Sequence, residues 1–593
     1  MHTHHGKGVF MEKAQLLARA QEYMHQESDR AFAQEVEKLI ASDDFKELED
    51  RFYRDLEFGT GGLRGIIGGG TNRMNTLVVT KATQGLCDYL KEQYPTKSLS
   101  ACIAYDSRRR SSDFALATAL VFAANGIKAY MFTSLRPTPE LSFAIRELGA
   151  DTGVVVTASH NPPQYNGYKA YWNDGSQVVP PHDVGIIEKV MAVKTPKTID
   201  KESAIKQGLL VYLDDSIDNR YVAMVKSKLL RPVLIKQEAS KVKVVYTPLH
   251  GTGAMLFERI MGELGLNVMT VPEQRNPDGE FPTVSYPNPE EPAALKLAIG
   301  LGEKVHADVV MATDPDADRL GVAVPDKKGI FQLISGNQLG SLHLDYLLHS
   351  LSELGKMPPK PACIKSIVTT ELQAYIAAKY QVECLDCLTG FKWIADVMRQ
   401  LEKEGKTFIY GTEESYGHLI ETEVRDKDGI SAAALTAEMT LYWRSKGKSL
   451  LDRLDEIYLE HGFFQEKGIN KYFEGPRGMT IMSGIMETYR SNQPIALGGI
   501  PVVHIRDIKT GLAWDVGSSV TKKLDLPASD VIQWKLRDGT MVTVRPSGTE
   551  PKIKYYILCR TEASIGLEEA KKQSALKIAA IEADIRKVID SAK

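Results

Sequence analysis

Cysteine is scarce in this 593-residue chain, with six in all, and so few exclude a disulfide-stapled scaffold. Cys384-Leu385-Asp386-Cys387 has the spacing of a redox or zinc pair. No second pair and no His cluster accompanies it, so two thiols flanking a short strand are expected. Long apolar runs are missing as well: none approaches the ~20 residues that a helical membrane span needs. Neither sign of charge dominates. Lys plus Arg number 73 against 76 Asp plus Glu, a formal net charge of −3. That gives nucleic acid or an anionic membrane no global attraction, although a local basic site remains open. The residues after Met1 are His- and Gly-rich with no apolar stretch, so no secretion signal is expected. Residues 1–10 read as a leader or as an appended, non-native remnant, Met11 as the start of a helix, and a reducing cytoplasm as the compartment. Low-complexity tracts and short-period repeats are also absent.

What is present is ordinary globular material, 43% hydrophobic and 25% charged, enough for several cores. At ~150 residues per domain the length suggests about four domains. Residues 11–50 read as two amphipathic helices, with Leu16, Leu17, Ala20 and Tyr23 at helical spacing. Apolar runs then alternate with helical stretches: strands at 100–105, 128–132 and 151–156, helices at 114–124 and 139–148. The rhythm restarts over 242–312 and again over 340–444. Such alternation marks βα units and largely parallel sheets. The last ~130 residues read as a smaller α+β domain with strands near 531–535 and 541–544 and a long helix from about Leu567. Four domains are expected: 1–215, 216–327, 328–460 and 461–593.

In α/β sheets ligands bind beyond the strand C-termini, so the loops after apolar runs carry the chemistry. Thr157-Ala158-Ser159-His160-Asn161-Pro162 presents an exposed Ser159 suited to be a nucleophile. His160 is a poor base for it, because adjacent side chains point apart in an extended segment. Asn166–Lys169 reads as a tight turn returning Lys169 toward Ser159. In Asp314-Pro315-Asp316-Ala317-Asp318-Arg319, three carboxylates at every second position would repel without a cation. Extended, that spacing puts all three on one side, a hard-oxygen set suited to Mg²⁺. An EF-hand is excluded, since its Gly and Glu are missing. Arg319 points to an approaching anion. Gly411–His418 offers Glu413 and Ser415 to sugar hydroxyls, or else a helix start capped by Thr412. Thr389-Gly390-Phe391-Lys392 adds a cation. Arg545-Pro546-Ser547-Gly548-Thr549-Glu550-Pro551-Lys552 reads as a phosphate cradle of an Arg fork, hydroxyls and freed backbone N–H groups.

With these loops, Gly59–Gly65, Tyr246–Gly251 and Ser335–Asn337, the chain resembles the α-D-phosphohexomutases: phosphoglucomutase, phosphomannomutase and their phosphopentomutase relatives. The resemblance runs in order across almost the whole chain. It implies three α/β domains and a smaller α+β domain around a central cleft. Ser159 would carry a phosphoryl group, and Asp314, Asp316 and Asp318 would hold Mg²⁺ together with a phosphoserine oxygen. Glu413 and Ser415 would grip sugar hydroxyls, with Thr389, Gly390, Lys392 and Arg319 nearby. Arg545, Ser547, Gly548 and Thr549 would bind the phosphate that is not transferred. Arg64, His160 and Lys169 match positions beside the phosphoserine, Lys169 as a candidate proton shuttle. Tyr416 departs from relatives that read Glu-x-Ser-Gly-His, so no catalytic role is carried over to His418.

The implied activity interconverts hexose 1- and 6-phosphates through a phosphoserine and a sugar bisphosphate, with glucose 1,6-bisphosphate as the type of primer. Glucose is the first expectation and mannose a side activity. The Lys169–Gly175 stretch also resembles the phosphopentomutase branch, which makes ribose or deoxyribose phosphate the alternative. A sugar phosphate is the expected partner, with no nucleic acid and no membrane, in a monomer or homodimer. An Asp-nucleophile phosphatase would leave Ser159 and Arg545–Thr549 unexplained, and a retired homologue would be expected to have lost Ser159 or a metal Asp.

Overall fold

The computed structural model describes residues 13–59, 62–473, 478–518, 520–547, 552–564 and 566–591. They form two compact units, one comprising residues up to Ser335 with Phe391–Gln400 and Ser415–Tyr442, the other the remainder.

The first unit opens with three helices among the described residues, Lys13–Gln26, Arg30–Ala41 and Phe45–Phe52, where the sequence suggested two; Met11 lies outside the described residues. Asp29 and Asp44 make the breaks: each side chain accepts a backbone N–H of the next helix, from Ala31 and Glu47. Leu16, Ala20, Tyr23, Val36, Leu48 and Phe52 form a core with Leu77.

Two sheets follow in this unit. The first has the strand order Gly62–Ile66, Tyr165–Trp172, Thr152–Val156, Ser100–Tyr105, Lys128–Phe132, Leu210–Leu213. Its centre is parallel and buried on both faces, which explains the continuous apolar runs read from sequence. The first two strands are antiparallel additions. Asn166–Lys169 therefore lies within a strand rather than a turn, because Asn166, Gly167, Tyr168 and Lys169 pair in register with Gly65, Arg64, Leu63 and Gly62. The second sheet runs Phe331–Ile334, Leu320–Pro325, Val309–Thr313, Lys243–Thr247, Asn267–Thr270, with Val245, Val310 and Ala323 in its core.

In the second unit, Glu383–Cys387 and Thr407–Glu413 flank Pro361–Ser366 in parallel. The C-terminal part is a largely antiparallel sheet packed on Gly478–Ser491 and the final helix Leu567–Ser591. That helix buries Ala570, Ser574, Ile578, Ile581, Ile585 and Ile589, the 3–4 spacing of one apolar face. Its strands include Phe463–Tyr472, Ile500–Asp507 and Lys552–Thr561, none of them evident from sequence.

Candidate active site

Ser159 follows the central strand Thr152–Val156 of the first sheet, and the acidic loop follows Val309–Thr313 of the second. Both loops therefore leave the C-terminal ends of central strands. Ser159 is buried, at 3% exposure, and not exposed as its sequence context suggested. Its Oγ donates to Asp314 Oδ2 at 2.7 Å. Ser159 also has φ +51°, a left-handed conformation costly for a residue with a side chain. That bend overturns the extended-segment argument about its neighbour: His160 Nδ1 lies 3.2 Å from Ser159 Oγ. Burial, with the Arg319 and Arg64 guanidinium groups, holds the His160 pKa well below the ordinary range, so its imidazole is neutral at pH 7.

The loop is held from below. Ser159 N donates to Thr157 Oγ1 at 2.8 Å, and Thr157 Oγ1 donates to Asp106 Oδ2 at 2.6 Å. Arg108 donates to the carbonyls of Ser159 (2.5 Å), Pro162 (2.9 Å), Tyr165 (3.1 Å) and Asn161. Neither Asp106 nor Arg108 was picked out from sequence. Their signal was available, since they follow the apolar strand Ser100–Tyr105 as the other site loops follow theirs.

The three carboxylates of Asp314, Asp316 and Asp318 are buried, and one oxygen from each lies within 4.8 Å of the others. The alternation of an extended loop does not bring them together. Ala317 adopts φ +52° and donates its N–H to Asp314 O, so a tight turn does it. Lys169 Nζ sits 2.7 Å from Asp316 and 3.4 Å from Asp318. Lys427, unnoticed in the sequence, places Nζ 3.1 Å from Asp318. Thr138 Oγ1 donates to Asp316 at 2.8 Å. Burial would raise the Asp316 pKa, but Lys169 outweighs it and holds this carboxyl well below the usual range. Asp314 goes the other way, raised by burial and by Asp316 and Asp318. Burial opposes charge on Lys169, and Asp316 with Asp318 overcomes it, so its ammonium is stabilised. Asp316 Oδ1 and Asp318 Oδ1 are buried with no hydrogen-bond partner among the described residues. Unsatisfied hard oxygens in a converging carboxylate set fit a divalent cation such as Mg²⁺.

Arg64 lies on the strand Gly62–Ile66, with Nη1 3.3 Å from Asn161 Oδ1; Thr60 and Gly61 of its loop lie outside the described residues. Arg319 is ion-paired with Glu290 at 2.6 Å. Lys392 is partly buried, 4.0 Å from Asp183, and burial lowers its pKa. Ser415 is half-buried. The helix start considered for Thr412 is not formed: the strand runs through Glu413, and Tyr416 turns the chain at φ +64°. His418 is buried, which pushes its pKa down to about 3.

In the second unit Glu413 Oε1 accepts from Gly390 N at 2.6 Å, next to Thr389. Ser366 Oγ donates to Glu414 at 3.1 Å. Arg545 lies in the strand Met541–Pro546 beside Tyr556, and Ser547 N donates to Lys552 O at 2.7 Å. Gly548 and Thr549 lie outside the described residues. Among the described residues the acidic triplet is the one His, Cys, Asp or Glu group able to hold a metal, and Cys384 and Cys387 lie on one strand without a metal-ligand set.

A serine loop beside a carboxylate trio, on consecutive α/β domains followed by a β-rich domain, defines a phosphomutase. The chain belongs to the α-D-phosphohexomutase family, near its phosphopentomutase branch. Residues 55–197, 219–329 and 335–460 match α/β/α domains I, II and III of phosphoglucomutase/phosphomannomutase. The phosphopentomutase of Homo sapiens is 36% identical over 596 residues, 96% of each chain. The phosphoglucomutase of Staphylococcus saprophyticus is 36% identical over 512 residues, 86% of this chain and 91% of its own. Among solved structures, a phosphoglucomutase/phosphomannomutase family protein of Burkholderia thailandensis superposes with a TM-score of 0.65 at 20% identity, covering 90% of this chain and 97% of that one. No helix among the described residues is long and apolar enough to cross a membrane.

Proposed function

We propose that Ser159 carries the phosphoryl group that this phosphomutase moves between C1 and the terminal hydroxyl of an aldose phosphate. Phosphoserine gives its group to the free hydroxyl of the substrate, yielding a bisphosphate. The phosphate at the other end then returns to Ser159 Oγ. The observation that carries this reading is the burial of Ser159 Oγ against Asp314 inside the carboxylate trio. Asp314, Asp316 and Asp318 would hold Mg²⁺, which when bound supplies positive charge beside the transferring group.

The chain's own groups divide the remaining work. Lys169, whose Nζ lies 2.7 Å from Asp316, is proposed as the proton shuttle. The neutral His160 imidazole suits the accepting side of proton transfer. Arg64 and Arg319 bring positive charge to the same loops, while Arg108 fixes the loop itself. Glu413 and Ser415, with Thr389, Gly390 and Lys392, are proposed to bind sugar hydroxyls. Arg545, Ser547, Gly548 and Thr549 are proposed to bind the distal phosphate. A sugar bisphosphate would prime the serine. We place domain boundaries near 215, 327 and 460; the first falls between the matches to domains I and II and the last at the end of the match to domain III.

A pentose phosphate is the substrate we favour, because the likeness to a phosphopentomutase spans almost all of both chains. Glucose phosphate, with mannose phosphate beside it, is the second reading, supported by equal identity to a phosphoglucomutase over a shorter span. Turnover of ribose 1-phosphate and glucose 1-phosphate, each primed by its bisphosphate, decides between them. A higher kcat/KM for ribose 1-phosphate upholds the first reading, and a higher value for glucose 1-phosphate replaces it. Six free cysteines favour a reducing cytoplasm as the compartment.

A further inference from the structure

Two cysteines on neighbouring strands have no part in the chemistry above. Pro361–Ser366 and Glu383–Cys387 run parallel and in register, setting Cys363 across from Cys384 and Lys365 across from Asp386. Residues two apart on a strand share a face, so both thiols and the Lys365–Asp386 ion pair form one ladder. Adjacent strands lie ~4.8 Å apart, inside the ~4.4–6.8 Å Cα separation that disulfides span. The thiols interact: hydrogen bonding with Cys384, ahead of burial, raises the Cys363 pKa. They differ in access, since Cys363 is 1% exposed and Cys384 is partly open. Lys365 Nζ lies 2.8 Å from Glu371 and 2.9 Å from Asp386 on that ladder. Cys387 is three residues along from Cys384, which turns it to the opposite face, and it is buried.

We propose that Cys363 and Cys384 form a reversible dithiol–disulfide pair, a modification site addressed by hydroperoxides. The accessible Cys384 thiolate attacks one oxygen of H₂O₂, breaking the O–O bond. This gives a sulfenic acid, and the leaving hydroxide takes up a proton to become water. Cys363 sulfur then attacks the sulfenic sulfur; the S–S bond forms, the S–O bond breaks, and the Cys363 proton leaves with the hydroxyl as water. Two thiols lose two electrons while the peroxide gains two. A low-molecular-weight dithiol reverses the step by exchange, ending as its own disulfide.

The test uses the whole chain, treated with graded H₂O₂, alkylated, and digested without reduction. Mass spectrometry is expected to find one cross-linked peptide joining Cys363 to Cys384, loss of two of the six thiols, and recovery of both with dithiothreitol. Cys384→Ser is expected to keep its remaining thiols under the same treatment. The proposal fails if both thiols survive the peroxide. It fails equally if Cys384 ends as sulfinic acid with Cys363 unlinked, or pairs with Cys387 instead. The wild-type peptide map decides these outcomes even where the variant folds poorly.

Discussion

Ser159 and Asp314, 155 residues apart in the chain, meet through one hydrogen bond of 2.7 Å. The bond joins the loops at the ends of two different sheets, so the site depends on how each loop is shaped from beneath.

Arg108 holds four carbonyls of the serine loop with one guanidinium group. Arg108→Met removes those donors at almost unchanged volume, leaving buried acceptors unpaired at a cost of about 1–3 kcal/mol each at most. We expect kcat to fall at least tenfold while KM for the sugar phosphate changes much less. Arg108→Lys, with one point charge, is expected to recover only part of the loss. Steady-state kinetics check this, with circular dichroism confirming the fold.

Gly251 packs against the acidic loop. A Cβ there would lie 2.4 Å from Pro315 Cα and 2.5 Å from Pro315 O, both backbone atoms that no rotamer change can move. Gly251→Ala is therefore expected to displace the Asp314–Asp318 turn. Titrating activity against Mg²⁺ should show a weaker apparent affinity, about tenfold for a loss of ~1.4 kcal/mol. An unchanged titration would mean that Pro315 yields without moving the carboxylates.

Glu140 is buried beside Asp218, with Arg136 at 3.7 Å. Burial first, then Asp218, raises its pKa well above the ordinary carboxylate range. A folded-state pKa above the unfolded value means that the native state holds the proton more tightly. Its stabilising effect is full below pH ~4.3, the unfolded value, and is lost as pH rises through the folded one. Glu140→Gln mimics the protonated acid and does not titrate. Urea melts between pH 5 and 8 should show the variant gaining on the wild type with rising pH, by up to about 1.4 kcal/mol per unit until pH reaches the folded-state pKa of Glu140. A constant difference would mean that the folded-state Glu140 pKa is not raised into or above that window.

Chelation should abolish turnover and Mg²⁺ should restore it, since Asp316 and Asp318 each keep one buried oxygen without a hydrogen-bond partner among the described residues. Asp318→Asn should need more Mg²⁺ for half-maximal activity. Full activity after exhaustive chelation would remove the trio from metal binding.

Much of the fold was legible because parallel strands buried on both faces leave apolar runs, as at Ser100–Tyr105 and Val309–Thr313. The C-terminal sheet was harder. Lys552–Thr561 opens with Lys552 and Lys554 alternating with buried Ile553 and Tyr555, so its apolar run, Tyr555–Cys559, covers only half of the ten-residue strand. The helix Phe391–Lys403 lies outside the elements read from sequence, though Phe391, Ile394, Ala395, Met398 and Leu401 carry its period. In the site, residue types were readable and shapes were not. Ser159 and Ala317 take left-handed conformations that nothing in their side chains demands. Those two bends overturned both arguments that assumed an extended chain. Arg108 and Lys427 act on atoms distant in sequence, and only tertiary packing brings them there.

The most direct test of the account is the location of the phosphoryl group. The wild-type chain, incubated with a sugar bisphosphate and mapped by tandem mass spectrometry, should carry one phosphate, on Ser159. Ser159→Ala should carry none and show no mutase turnover. Phosphate on another residue, or full turnover in Ser159→Ala, would contradict the assignment on which the mechanism rests.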